Sequence, residues 1–521
     1  MTKNAGLAIV CPLVAVLLIA GLVGPATPAF ALDCPPQLRH IREHIVSLIE
    51  EGEVPSIAVG VVHGALRWEE GFGLADREAG ISATAQTLYA LASVSKPFTA
   101  TALMILVERG LISLEDPTNT YLGADGIRAC IGTEDAATIR RIASHTSGLP
   151  LHSQAFYVDE PYLPPPFEET LRRYGNLVTA PGERYQYSNL GYGILGRIIE
   201  EVSETSFERF LADEVLVPLK MERTTIGCNA RLAGSYATNY AATGQLIPVA
   251  LTDCLGASGL YSCVSDLLSF ALFHMGSPDE SQPQILTAIS RQEMQTAAPG
   301  TVRTRDWECE GSGYGLGWFI GRMADGLQVV HHSGGSNGIS TVLILVPEED
   351  LAVVVLSNTA GPWPDALAIE ILSTLIPERL AQICPPETPG PEVNLLTAEP
   401  ELAGRWLGSV DTYEGGVRIE ARIDESGEVW IKLGEAAEVR LRDTTYTDRM
   451  PLFLNAGGGP FLRGWFSGDF GTQDVRRGCP CKLWIEFKLR GRRLTGSLIT
   501  LSQRLLYTGP LSHWTELKRE Q

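Results

Sequence analysis

The sequence predicts an α+β fold in two parts: one sheet assembled from distant segments with helices between them, then a small all-β barrel. Three observations carry this. Strand-like runs stand at both ends of residues 35–384 and enclose a helix-rich middle, the pattern of a single sheet closed by remote parts of the chain. Four prolines crowd residues 385–391, a stiff linker. Beyond residue 402, short β-rich runs alternate with turn signals such as Asp424-Glu-Ser-Gly427 and Asn455-Ala-Gly-Gly-Gly459, which suggests an antiparallel barrel or sandwich.

Each element follows from its pattern. Gln37–Glu51 places Ile41, Ile45, Leu48 and Ile49 on one helical face. Ser56–Val62 and Leu66–Gly71 read as strands joined around His63-Gly64. Phe98–Gly110 is an apolar helix closed by glycine, and Leu190–Val202 and Phe207–Val217 are further helices. Ser340–Val346 and Leu351–Leu356 form a hairpin across Pro347-Glu-Glu-Asp350, and Trp363–Leu380 is a long helix. In the last part the predicted strands are Val417–Ile423, Val429–Leu433, Glu438–Arg442, Pro451–Leu454, Leu462–Phe466, Leu483–Leu489 and Leu494–Leu501.

The N-terminus has the order of a secretory signal peptide. Lys3 is followed by an apolar stretch to about Val23, then Gly24, Pro25 and Pro28, then Ala29-Phe30-Ala31. The expected organisation is therefore a signal peptide over 1–31, a first domain over 32–385, a linker over 386–401 and a barrel over 402–521. The expected location is periplasmic or extracellular, with no stable membrane insertion after cleavage. Loss of Lys3 takes the 41 basic and 61 acidic residues to 40 and 61, a net charge of −21. Such a chain repels phosphate backbones, which excludes nucleic acid as a partner. With 45% apolar and 20% charged residues it is neither disordered nor a coiled coil. Of ten cysteines, Cys11 lies in the signal and nine remain. They are read as structural, with pairing open.

Chemistry sits at three places. Ser93-Val94-Ser95-Lys96 is the sole S-x-x-K in a chain with seven lysines. At a helix start, i and i+3 share a face, so the Lys96 amine reaches the Ser93 hydroxyl and can take its proton. Positive potential at the helix N-terminus and burial both disfavour the charged lysine. Alone, the motif reads as a capping serine beside a solvated lysine. Tyr187-Ser188-Asn189 opens another apolar helix and offers a proton-relaying hydroxyl and a carbonyl-holding amide. His332-Ser333-Gly334-Gly335 precedes a strand, where glycines let backbone N–H groups approach a ligand.

Ser93-x-x-Lys96, Tyr187-x-Asn189 and His332-x-Gly334, in that order, resemble the serine β-lactamase and penicillin-binding protein superfamily, on its class C β-lactamase, D-alanyl-D-alanine carboxypeptidase and esterase branch. Ser144–Leu149, Pro218–Thr224, Gly256–Leu260 with Asp266, and Tyr314–Trp318 support the resemblance over about 345 residues. The tail is similar to the lipocalin-like barrel of some family peptidases. The resemblance implies an antiparallel sheet flanked by helices plus a helical subdomain. It implies Ser93 as acyl-enzyme nucleophile, Lys96 and Tyr187 as the proton-transfer pair, and Asn189 as holder of the substrate amide. It implies an oxyanion hole from the N–H groups of Ser93 and Gly335, and His332 orienting a substrate carboxylate or carbonyl. Neither metal nor cofactor is implied; the partner is a small-molecule or peptide substrate. Histidine, where β-lactamases usually carry lysine, points toward a D-amino-acid peptidase or carboxypeptidase-like enzyme. A carboxylesterase or β-lactamase, or an idle ligand-binding protein with the barrel as sensor, are the alternatives.

Overall fold

The computed structural model describes residues 34–276, 283–301, 312–380, 401–450, 455–469, 471–503 and 509–520. The expected signal peptide and nearly all of the proline-rich linker lie outside them. Among the described residues, no helix is long and apolar enough to cross a membrane.

An eight-stranded sheet is built from both ends of the first part. Its strands are β1 (Ser56–His63), β2 (Leu66–Asp76) and β3 (Ile81–Ser82) from the start, and β5 (Gly313–Tyr314), β6 (Phe319–Arg322), β7 (Gln328–Ser336), β8 (Ile339–Val346) and β9 (Leu351–Ser357) from the end. The order is β5-β6-β7-β8-β9-β1-β2-β3, antiparallel throughout. The unbroken run Leu351-Ala-Val-Val-Val-Leu356 is explained by burial of both faces. Ile57, Val59, Val61, Val353 and Val355 face helices α1 (Arg39–Glu50) and α6 (Trp363–Leu375). Ala58, Val62, Val354 and Leu356 face α2 (Ser95–Glu108) and α5 (Val264–Met275). Ile41, Ile45 and Leu48 of α1 are each buried, worth about 1.5–3 kcal/mol apiece.

The helical part between β3 and β5 holds α3 (Asn189–Ser203) and the short α4 (Leu255–Ser258), both packed against α2. Its short strand β4 (Tyr185–Gln186) stands apart from the main sheet. The last part forms a nine-stranded antiparallel barrel: β10 (Gly404–Thr412), β11 (Gly415–Ile423), β12 (Val429–Leu433), β13 (Val439–Arg440), β14 (Arg442–Met450), β15 (Asn455–Gly468), β16 (Cys481–Arg490), β17 (Arg493–Ser502) and β18 (Leu511–Arg519). Its strand order is β13-β12-β11-β10-β18-β17-β16-β15-β14, open only where β13 and β14 meet.

Four expectations are corrected. The helix expected to open at Ser93 starts at Ser95, and Ser93 itself lies in a 3-10 turn over Ala92–Val94 that precedes it. The helix predicted to Leu380 stops at Leu375, because Pro377 has no N–H to continue the ladder. Phe207–Val217 is α-helical only to Leu211 and passes into a π turn over Ala212–Leu216. Asn455–Gly459, read as a turn, starts strand β15, and its residues Asn455 and Ala456 pair with Gln186 and Tyr185 of β4. Pro451–Leu454 lies outside the described residues. Strands β10 and β18, absent from the sequence reading, pair with each other and join β11 to β17.

Candidate active site

Residues 91–106 are buried with one exception, Ser93, which is half-exposed. The preceding Ala92 holds φ at +46°, a left-handed conformation that costs a non-glycine residue about 1–3 kcal/mol. The turn is held from three sides. Leu91 N–H donates to the Leu260 carbonyl at 2.8 Å, the Leu260 N–H to Ser95 Oγ at 3.1 Å, and Thr341 Oγ to the Leu91 carbonyl at 2.9 Å.

Lys96 is wholly buried, and its Nζ lies 2.7 Å from Asn189 Oδ1, 3.0 Å from the Ala257 carbonyl and 3.0 Å from Ser93 Oγ. The amide and backbone oxygens only accept, so each takes an N–H. A neutral amine has then spent both hydrogens and turns its lone pair to Ser93. Burial pushes the amine well below its ordinary value. Cys254, whose thiolate would oppose this, is itself a thiol raised by burial and therefore uncharged at neutral pH. The faces of Tyr187 and Tyr192, 4.8 and 5.6 Å away, favour an ammonium. Such contacts give about 2 kcal/mol when desolvated, against several for burying an ion. Burial therefore disfavours the charged amine by more than these faces favour it.

Tyr187 is buried, and burial raises its hydroxyl well above the ordinary range, opposed by a hydrogen bond with Ser93. The phenol thus keeps its proton at neutral pH. Its turn is pinned by Ser188, which caps α3 by accepting from Gly191 N–H at 3.0 Å. The Ser188 hydroxyl donates to the Pro150 carbonyl at 2.7 Å, and its N–H to His145 Nδ1 at 3.1 Å. His145, at φ +59°, packs its ring 4.2 Å from that of Tyr187 and 4.6 Å from that of Tyr314. Burial holds it well below the usual histidine value. A neutral ring matches its Nδ1 accepting from Ser188.

The third element is strand β7. His332 is 1% exposed. Its Nδ1 lies 2.7 Å from the Ser333 carbonyl, which only accepts, and its Nε2 lies 3.0 Å from the Tyr314 hydroxyl. Neutral or protonated, the ring has both nitrogens engaged within the protein. It offers a substrate no N–H in this arrangement, unlike the expected orienting histidine. Gly334 is forced by packing: a Cβ there would lie 2.1 Å from the Leu91 carbonyl. This close approach sets β7 beside the Ser93 turn. A Cβ on Gly335 would meet nothing within 4 Å, so this residue borders open space.

The structure thus brings Ser93, Lys96, Tyr187 and Asn189 into one cluster, with Gly334 packed on its turn. His145, Tyr314 and the Ala257 carbonyl belong to the same cluster. All three lie in stretches the sequence singled out, Ser144–Leu149, Tyr314–Trp318 and Gly256–Leu260, without a role. Among the described residues one group has metal-ligand chemistry, His152, Asp253 and Cys254. It is buried, and Asp253 Oδ2 already accepts from His152 Nε2 at 2.8 Å and Thr170 Oγ at 2.9 Å. Both bonds fall on the one oxygen, Oδ2.

A family model described as Beta-lactamase matches residues 41–374. The chain is 28% identical over 333 residues to the "Unguisins hydrolase ungD'" of Aspergillus campestris, a match covering 61% of each chain. It thus spans about three fifths of that relative's length. It is 26% identical over 348 residues to "Penicillin-binding protein 4*" of Bacillus subtilis, covering 61% of this chain and 71% of that protein. The octameric penicillin-binding protein homologue from Pyrococcus abyssi superposes with a TM-score of 0.58 at 24% identity, over 92% of this chain and all of that one. That likeness extends the shared fold into the barrel.

Proposed function

The chain belongs to the beta-lactamase family of serine hydrolases, which act on amide and ester bonds, and from that premise we propose that it works through an acyl-enzyme on Ser93. The observation that carries this is the placement of the buried Lys96 Nζ, 3.0 Å from Ser93 Oγ and held by the Asn189 and Ala257 oxygens, where burial disfavours its charged form. In the first step Ser93 Oγ bonds to the substrate carbonyl carbon and its proton passes to Lys96 Nζ. The N–H groups of Ser93 and Gly335 receive the oxyanion. The phenol of Tyr187 relays a proton to the leaving amine or alkoxide as the tetrahedral intermediate collapses. Water then attacks the ester, and the same groups return the protons. Asn189, its Oδ1 held by Lys96, keeps its Nδ2 for the substrate carbonyl.

The proposed substrate class is the amide bond of D-amino-acid peptides. The engaged nitrogens of His332 favour acyl groups without a carboxylate that needs a fixed cation. This reading leans toward peptidase chemistry and away from carboxypeptidase or β-lactam turnover. The same observation suits a carboxylesterase, the second reading. A panel of a chromogenic ester, nitrocefin, a D-alanyl-D-alanine peptide and a D-amino-acid amide, run on wild type and Ser93→Ala, separates them. The D-amino-acid amide should turn over fastest and only in wild type; the ester fastest favours the carboxylesterase, the D-alanyl-D-alanine peptide fastest a carboxypeptidase, and nitrocefin fastest makes the protein a β-lactamase. Export with cleavage before Leu32 is part of the proposal, supported by the Ala29-Phe30-Ala31 pattern. N-terminal sequencing of exported protein that reads from Met1 would overturn it.

A further inference from the structure

Barrel strand β16 alternates cleanly. Leu483, Ile485 and Phe487 point into the barrel, and Glu486, Lys488 and Arg490 share its outer face. An outer-face glutamate belongs in water, yet Glu486 is 1% exposed. The catalytic part covers it. Arg184, 2% exposed, donates Nη2 to the Glu486 carboxylate. Arg463, opposite Glu486 on β15, donates Nε and Nη2 to Glu486 Oε1 at 3.0 and 2.8 Å. Burial alone would raise the Glu486 carboxyl; the two guanidiniums overcome it and hold it at about 2.

Stability gives no reason for such a triad, since apolar residues of similar volume commonly serve as well. Its placement does. Arg184 starts the segment that runs through β4 into Tyr187. Arg184 Nη2 also donates to Gln186 Oε1 at 3.3 Å, and Gln186 N–H donates to the His145 carbonyl at 2.7 Å. Tyr185 and Gln186 pair with Ala456 and Asn455 of β15. One residue earlier, Glu183 accepts from Lys488 Nζ at 2.7 Å and from Arg490 Nη2 at 2.5 Å. The barrel therefore grips four consecutive residues, 183–186, and Tyr187 is the next.

We propose that Glu486 is a positioning residue of the active site: through Arg184 the docked barrel fixes the strand that delivers Tyr187, and the catalytic centre is complete only with the barrel in place. This rests on the proposed role of Tyr187. Arg184 and Tyr187 are three residues apart, about 10 Å along an extended chain, so a small shift of the strand moves the phenol off Ser93 while leaving Lys96 and Asn189 where they are.

The test is a double-mutant cycle in the full chain between Glu486→Gln and Tyr187→Phe, read as the rate of Ser93 labelling by a fluorophosphonate and as kcat and KM on the best substrate of the panel. Glu486→Gln should label at least about ten-fold more slowly, with the loss in kcat and KM within about two-fold. In the Tyr187→Phe background the same change should cost less than about two-fold, because its route is already gone. A wild-type labelling rate in Glu486→Gln, or an equal loss in both backgrounds, overturns the proposal. Tyr187→Phe labelling at the wild-type rate would instead remove Tyr187 from the mechanism, which is a failure of the functional reading. If Glu486→Gln does not fold, the triple variant Arg184→Met, Arg463→Met, Glu486→Leu removes all three charges together and enters the same cycle, with the same outcomes deciding.

Discussion

Replacing Lys96 by methionine separates a neutral buried base from a buried cation. The side chain is wholly buried, and desolvation depresses its amine well below 10.5. Between the depressed folded value and 10.5 the unfolded chain carries a proton at this position that the folded chain does not. The unfolded state binds more protons, so stability rises with pH, from the depressed folded value up to 10.5. The slope for one proton is about 1.4 kcal/mol per pH unit. Methionine fills similar volume, loses the bonds to Asn189 and Ala257, and has no proton to release. The stability of wild type minus that of Lys96→Met should therefore grow by about 2.7 kcal/mol between pH 7 and 9, wherever both lie above the folded value. Urea unfolding of both proteins at several pH values measures this directly. Catalysis should fall about 10²–10⁴-fold in the variant, the usual contribution of a general base. Wild-type activity should fall as pH drops through the depressed Lys96 value. A stability difference that does not change with pH would mean a charged lysine in the folded state, and the general-base role would go with it.

Three further outcomes are expected. Tyr187→Phe keeps the buried ring and the fold but should slow acylation by about 10²-fold or more; turnover within two-fold of wild type would remove the phenol from the proton path. Gly334→Ala drives a Cβ to 2.1 Å from the Leu91 carbonyl, so either β7 or the Ser93 turn must shift. A loss of about 1–3 kcal/mol by thermal melting, with slower Ser93 labelling, is expected, and an unchanged protein would show that the approach is loose. His332→Lys breaks the bonds to Tyr314 and Ser333 and adds a flexible cation, so acylation by a carboxylate-bearing β-lactam should rise relative to a neutral ester; equal changes in both would show that position 332 does not select on charge.

The residues that bear chemistry were legible wherever local spacing defines geometry. Ser93 and Lys96 lie three apart across a helical turn, and the prediction that they meet needs little more than helix periodicity. Strands β1, β8 and β9 were legible because β-branched runs bounded by turns admit few other readings. What the sequence concealed is set by tertiary contact. The nitrogens of His332 are spent on Tyr314 and a neighbouring carbonyl, and neither partner can be assigned from a motif. Glu486 reads as an ordinary outward-facing residue of an alternating strand; its burial comes from Arg184, some 300 residues away. Strands β10 and β18 were missed because their runs, such as Gly404-Arg-Trp-Leu-Gly408, mix charge and glycine with few β-branched residues. They are strands because they pair with each other and with β11 and β17.

The central claim is that Ser93 becomes acylated during turnover. Rapid quenching of the full chain with its best ester or peptide substrate, followed by peptide mapping by mass spectrometry, tests it most directly. The acyl mass should appear on the peptide bearing Ser93, be released with time in wild type and be absent from Ser93→Ala, which should have no turnover. An adduct on another residue, or turnover that survives in Ser93→Ala, would contradict it.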